Sequence, residues 1–237
     1  IDAGGKYIEE VKVKPEWKNL KDEVAVDKTA KTPFVKQIAE VVNRLEGNSL
    51  PVSSFLGYED GHLESGTTSY EKRAVANHAP KWHPEKCIQC NQCVFSCPHA
   101  VIRAFLADDE EAKGAPEGTK FLDARGKDIS QYKYTIQVSA LDCTECGVCV
   151  DVCPAPGKAL EMVSVQDELK EGRQEQADYF FNNVTYKNVG TNNVKNLNFN
   201  KPLFEFSGAC AGCGETPYIK AVTQLFGERM LVANATG

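Results

Sequence analysis

The sequence predicts an α+β fold, and three observations carry that prediction. Eight of the ten cysteines fall into two copies of one run, Cys87 to Pro98 and Cys143 to Pro154. An alternating, β-branched stretch, Tyr132 to Val138, leads straight into the second copy. Stretches of helical period lie on the flanks, at 32–47 and 165–182. The 237 residues, 42% hydrophobic and 25% charged, suffice for one large domain or two modest ones. Lys plus Arg number 27 and Asp plus Glu 33, a net charge of −6, which is a poor match for nucleic acid. No apolar run approaches the ~20 residues that span a bilayer, and no secretory leader is visible. The chain starts at Ile1 rather than at methionine, so it is expected to belong to a longer polypeptide.

In chain order, residues 1–30 are polar and weakly periodic and read as a linker with room for one short helix. Thr32-Pro33 has the form of an N-cap and a first helical residue. Phe34, Ile38, Val41 and Leu45 follow at helical spacing, and Gly47 is expected to end this packing helix. The stretch Gly66-Thr-Thr-Ser-Tyr-Glu-Lys-Arg73 lacks the spacing of a phosphate-binding loop and reads as a capped turn. His62, His78, His83 and His99 share no ligand spacing, so solvent or core roles are expected.

Residues 87–98 read Cys-Ile-Gln-Cys-Asn-Gln-Cys-Val-Phe-Ser-Cys-Pro, and residues 143–154 read Cys-Thr-Glu-Cys-Gly-Val-Cys-Val-Asp-Val-Cys-Pro. Both match the bacterial ferredoxin run Cys-x2-Cys-x2-Cys-x3-Cys-Pro, which binds a 4Fe-4S cluster. Three closely spaced thiolates suit a tight loop around one side of a compact cluster. No proline intervenes, so backbone N–H groups remain free to donate to sulfur and help set the potential. Pro98 and Pro154 then fix φ and interrupt the local ladder. In two-cluster ferredoxins the fourth thiolate serves the other cluster. The expected sets are therefore crossed: Cys87, Cys90, Cys93 and Cys153 for one cluster, and Cys97, Cys143, Cys146 and Cys149 for the other. Zinc also accepts four thiolates, but normally through two separated Cys-x2-Cys knuckles. A disulfide framework belongs to small secreted chains.

Asp108 to Asp128, rich in charge and glycine, reads as a surface insertion ahead of the 132–138 strand. Residues 165–182 read as charged helix and 183–200, rich in Asn, as a meandering connection. Small residues then surround Cys210 and Cys213. In isolation this pair suits a redox dithiol, half a zinc site or half a cluster site. Thr216 can N-cap a helix with Pro217 at its first position, Ile219, Val222, Leu225 and Phe226 on its buried face, and Gly227 as its stop. Arg229 to Gly237 reads as a buried strand running into a loop, the place where α/β sheets bind ligands.

The twin cluster runs, then Phe204-Glu-Phe-Ser-Gly-Ala-Cys-Ala-Gly-Cys-Gly-Glu-Thr-Pro-Tyr218, then Ala233-Asn-Ala-Thr-Gly237, closely resemble pyruvate:ferredoxin (flavodoxin) oxidoreductase over most of the chain. The resemblance implies an enzyme that oxidatively decarboxylates pyruvate with coenzyme A to acetyl-CoA and CO2. It implies thiamine diphosphate with Mg2+ for the carbon chemistry, three 4Fe-4S clusters, and ferredoxin or flavodoxin as acceptor. It further implies a homodimer, and a setting in an anaerobic prokaryote's cytoplasm or a hydrogenosome-type organelle. Cys210 and Cys213 match two ligands of the third, proximal cluster, whose other ligands lie outside this sequence. Glu215 matches a thiamine-site residue, and Thr236 lies in the loop approaching that cofactor. No catalytic side chain is implied in this chain beyond those at the cofactor sites. The implied plan is a linker and small α/β region (1–80), a two-cluster ferredoxin-like domain (81–165), a connection (166–202), and the start of an α/β thiamine-diphosphate-binding domain (203–237). The competing expectations are a free-standing two-cluster electron carrier and the same enzyme type acting on another 2-oxoacid.

Overall fold

The computed structural model describes residues 2–20, 31–190, 193–233 and 235. Thr236 lies outside them. The chain divides into two units, 1–54 and 55–237.

In the first unit, α1 (Asp2–Lys6) and a 3-10 turn at Pro15–Asn19 are short pieces. The helix expected after Thr32 is present. The Val35 amide donates to Thr32 Oγ1 at 3.3 Å, and π-helical Val35–Ala39 continues into α2 (Glu40–Asn43). Phe34, Val35 and Ile38 are buried. The helix ends earlier than the apolar spacing suggests: Leu45 has φ 62° and is 93% exposed. Its amide closes on Val42, a left-handed stop that costs a non-glycine residue about 1 kcal/mol. Gly47 begins a separate 3-10 turn.

The second unit is built from two strand–loop–strand passages. β1 (His78–Trp82) enters the first cysteine run, α3 (Gln92–Ser96) lies within it, and β2 (Ile102–Ala107) leaves it. α4 (Asp109–Gly114) and β3 (Leu122–Asp123) occupy the insertion. β4 (Lys133–Val138) enters the second run, α5 (Val148–Asp151) lies within it, and β5 (Leu160–Ser164) leaves it. The expected helical stretch is two helices, α6 (Val165–Lys170) and α7 (Arg173–Asn183), broken at Gly172 with φ 71°. The connection beyond carries α8 (Val194–Leu197), and α9 (Thr216–Phe226) follows the third cysteine pair.

The pairing is nested. β1 runs antiparallel to β5, from His78 opposite Ser164 to Trp82 opposite Leu160. β2 runs antiparallel to β4, from Ile102 opposite Val138 to Ala107 opposite Lys133, and β3 takes the other edge of β4. Pro80 sits in β1 without penalty because that strand pairs on one side only. Each strand entering one run thus pairs with the strand leaving the other, which carries the end of each run towards the start of its counterpart.

Between the sheets the core centres on Tyr134, fully buried, with Trp82 and Phe199 edge-on at 6.1 Å each. The insertion is better anchored than its composition suggests. Asp108 and Glu111 form a capping box on α4, and Glu111 also accepts from Lys187 Nζ at 2.8 Å and from the Thr185 amide at 2.9 Å.

The C-terminal expectations need correction. Glu215, not Thr216, is the N-cap of α9, which places Pro217 at the second helical position. The apolar stripe of α9 is real but turned outward: Val222, Leu225 and Phe226 are 44%, 41% and 50% exposed. Its docked side carries Thr216 and Lys220 because it meets main-chain carbonyls rather than apolar side chains. After a 3-10 turn at Gly227–Arg229, residues 230–233 form no strand, and Leu231 is fully exposed. A strand needs a partner for its backbone groups, and none pairs with this segment among the described residues.

Candidate metal centres

The two cysteine runs fold into matching loops. Gln89 and Glu145 occupy equivalent positions, both left-handed at φ 58°. Two residues on, Asn91 (φ 59°) and Gly147 (φ 73°) are left-handed as well and precede α3 and α5. This double reversal turns consecutive cysteines towards one centre. It also aims the Gln89 amide at Cys87 Sγ and the Glu145 amide at Cys143 Sγ, each at 3.4 Å. The Ala159 amide donates to Cys153 Sγ at 3.3 Å. These are the N–H···S bonds that tune a thiolate-bound cluster.

A left-handed conformation is costly for Gln and Glu, and each loop is tethered from outside. Gln89 donates to the Asp123 carbonyl at 2.9 Å and accepts from the Arg125 amide at 2.8 Å, so the insertion holds the first loop. Asn91 accepts from Tyr134 Oη at 2.8 Å and donates to the Lys195 carbonyl at 2.9 Å. Glu145 accepts from the Asn77 amide at 2.7 Å and sits 2.6 Å from His78 Nδ1. Spacing points only to the cysteines. The signal for these residues is that they stand between cysteines, where a loop needs left-handed turns.

The thiols gather as the nested strands require. Cys97, from the end of the first run, lines one small cavity together with Cys143, Cys146 and Cys149 of the second. Burial, and then the charge of Cys97 and its neighbours, pushes Cys149 well up; burial raises Cys143 to about 11 despite the Glu145 amide. Cys153 packs with Cys87. Cys93 is pushed up by burial and then by Cys149, Cys87, Cys90 and Cys153. Thiols this close cannot all ionise unless a cationic centre lies among them, which a four-iron core provides. All ten cysteines are free thiols. Among the described residues no three Cys, His, Asp or Glu side chains are grouped to hold a single metal ion. Thiolate donors gathered in this way are of the kind that holds a 4Fe-4S core.

The third pair is placed differently. Cys210 is exposed and Cys213 half-buried. The amides of Thr216 and Glu215, at the start of α9, lower the Cys213 pKa and favour its thiolate. Glu215 is exposed and makes no side-chain capping bond. Gly212, between the two cysteines, is left-handed at φ 69°, and a Cβ there would stand 3.6 Å from Cys146 Cβ. The approach to this pair is bolted to the first run: the Phe206 amide donates to the His99 carbonyl at 2.9 Å, and the buried Arg103 guanidinium pairs with Glu205. The Gly66 turn, at φ 79°, leads to Lys72, which pairs with Asp142 at 2.5 Å and lies 5.2 Å from the Phe206 ring. The turn itself, a 3-10 helix at Thr67–Tyr70, carries no side-chain cap at Gly66, so the cap expected there is absent. His99 has a core role, buried with Nδ1 3.1 Å from the Ser207 carbonyl.

Among the described residues no helix is long and apolar enough to cross a membrane. Two family descriptions match the chain: a 4Fe-4S dicluster domain over residues 86–159, and EKR, a domain of unknown function, over residues 20–76. The chain is 48% identical over 240 residues to pyruvate:ferredoxin oxidoreductase of Moorella thermoacetica, covering all of this chain and 20% of that protein. It is 48% identical over 239 residues to pyruvate-flavodoxin oxidoreductase of Enterobacter agglomerans, with the same coverage. To the NADP(+) pyruvate dehydrogenase of Cryptosporidium parvum it is 48% identical over 207 residues, 86% of this chain and 10% of that protein. The chain spans about a fifth of the length of the first two relatives. With a dicluster domain at its centre and bacterial relatives of one enzyme type at 39–48% identity, it belongs to the pyruvate:ferredoxin/flavodoxin oxidoreductase family.

Proposed function

We propose that the chain is the electron-relay segment of an enzyme that oxidatively decarboxylates pyruvate with coenzyme A, giving acetyl-CoA and CO2 and passing two electrons, one at a time, to ferredoxin or flavodoxin. The observation that carries this reading is the shared cavity of Cys97, Cys143, Cys146 and Cys149. Those four would hold one 4Fe-4S cluster, and Cys87, Cys90, Cys93 and Cys153 the other. Cys210 and Cys213 would supply two ligands of a third. When bound, the clusters pass single electrons and thiamine diphosphate with Mg2+ performs the carbon chemistry. Glu215 and Thr236 belong to the thiamine site in this reading, and residues 203–237 to the start of its domain, after the linker region (1–80), cluster domain (81–165) and connection (166–202).

The surroundings of the first loop support it as the exit. Lys86 donates to the Gly157 carbonyl at 3.4 Å, Lys158 to the carbonyls of Asp151 and Cys153 at 2.8 Å, and Lys195 to that of Arg125. In this reading Lys158 and Lys195, which close on carbonyls, and Lys86, whose charge also acts on Glu85, present positive charge to an acidic carrier. A free-standing carrier is disfavoured by the third cysteine pair and by relatives about five times longer than this chain.

The test uses anaerobic holoenzyme with Cys153→Ser and Cys97→Ser, read by electron paramagnetic resonance against Cys90→Ser and Cys146→Ser. Crossed ligation predicts that Cys153→Ser reproduces the Cys90→Ser signature and Cys97→Ser that of Cys146→Ser, with pyruvate-dependent carrier reduction lost in all four. Signatures that follow each run would refute the crossing. A wild-type enzyme that lacks 4Fe-4S signals, or that cannot reduce a carrier with pyruvate, would refute the function.

A further inference from the structure

Lys220 is the most deeply buried charged side chain among the described residues, 2% exposed on the docked side of α9. Its Nζ donates to the carbonyls of Val94 at 2.6 Å and Cys97 at 2.8 Å. These are carbonyls at the end of α3, which a helix cannot satisfy for itself. No carboxylate pairs with this ammonium among the described residues; the other buried cation nearby, Arg103, is matched to Glu205. A buried charge without a counter-charge is costly.

Capping carbonyls alone does not require a cation. One turn further along the same side of α9, the neutral Gln224 amide donates to the carbonyls of Leu197 and Asn200, at 3.3 and 3.4 Å. The helix thus uses a neutral donor where it meets α8 and a charged one where it meets Cys97. What distinguishes the second location is the thiol cavity that Cys97 enters. A four-iron centre with its thiolates carries a charge of about −2 and gains one more negative charge with each electron accepted. A fixed cation in a low-dielectric setting favours the reduced form over the oxidised one.

We propose that Lys220 is a positioning residue for the cluster that Cys97 serves. Its ammonium, fixed against the Cys97 carbonyl, supplies the buried counter-charge that eases one-electron reduction there and fastens the helix behind the third cysteine pair to that ligand loop. The proposal rests on ligation of a 4Fe-4S cluster by Cys97.

Lys220→Gln and Lys220→Arg are compared with wild type in the anaerobic holoenzyme, by iron content and by a redox titration followed by electron paramagnetic resonance. Lys220→Gln should keep its iron while one midpoint becomes more negative by at least about 59 mV, a tenfold loss in the reduction constant of a one-electron couple. Lys220→Arg should stay near wild type. Full iron with unmoved midpoints in Lys220→Gln overturns the proposal. Should Lys220→Gln shed its iron, retention of iron and midpoint by Lys220→Arg supports a role for the charge, whereas loss in both overturns it. Absence of 4Fe-4S signals in wild type would instead overturn the underlying ligation.

Discussion

Replacing Arg103 with methionine should release the approach to the third cysteine pair. The guanidinium is 3% exposed. It donates to the Ala100 carbonyl at 2.8 Å, to Tyr186 Oη at 2.9 Å and to Glu205, and lies 4.2 Å from the Phe181 ring and 5.2 Å from the Phe206 ring. The Glu205 side chain is only 16% exposed, so truncation leaves its carboxylate largely desolvated and unpaired. Removing one member of such a pair costs roughly 3–5 kcal/mol. Glu205→Leu should cost a similar amount by stranding the guanidinium. Exchanging both for apolar residues should cost under about 2 kcal/mol, because neither charge is then buried alone. The readout is amide hydrogen exchange at 204–207 in the holoenzyme, where the Phe206 amide donates to the His99 carbonyl. A local loss of about 3 kcal/mol corresponds to exchange faster by on the order of 100-fold. If both single variants exchange within about 3-fold of wild type, or if the double variant is worse than either, the pair does not hold this segment.

Two further outcomes follow from other contacts. Burial works against ionisation of Glu111, but Lys187 and the amides of Thr185 and Asp108 outweigh it and hold its pKa at about 2, below the usual 4.5. Its contribution is therefore present at neutral pH and is lost as pH falls from about 4.5 towards about 2. Glu111→Gln should quicken amide exchange in α4 about tenfold at pH 7, a loss of roughly 1–2 kcal/mol after allowance for solvent screening, and this difference from wild type should shrink across that acid range. Lys86→Glu with Lys158→Glu should raise the KM for an acidic carrier about tenfold and weaken its dependence on salt, with reduction of a small uncharged dye by pyruvate unchanged; an unaltered KM would remove the first loop as the docking place.

The cysteine pattern was legible because ligand spacing is a local property: one loop must carry three thiols at fixed intervals, and the fourth must be followed by a turn. Strand β4 was legible from its alternation. β2 shows no alternation, because it is buried along its entire length, Ile102 to Ala107, including Arg103. The outward turn of α9 was illegible for a different reason. Periodicity reports that a helix has an apolar side, but it cannot report which neighbour that side meets. Thr216, Lys220 and Gln224 lie at helical spacing as well, and only the carbonyl ends of α3 and α8 explain why a polar stripe docks.

The two loops share spacing, left-handed turns and N–H···S bonds, yet their neighbours differ. Gly212 abuts Cys146, and the Gly66 turn, by way of Lys72, braces Asp142, so the second loop is packed against the third pair. Ile88 in the first loop is 45% exposed, and Lys86 and Lys158 close on main-chain carbonyls. A repeat alone would give two interchangeable sites. It is the insertion after β2 and the polypeptide after α7, neither of them part of the repeat, that fix Gln89 from one side and Cys97 from the other. The asymmetry between the two loops therefore resides in the sequence between and after the cysteine runs, which is where substitutions should separate one loop from the other.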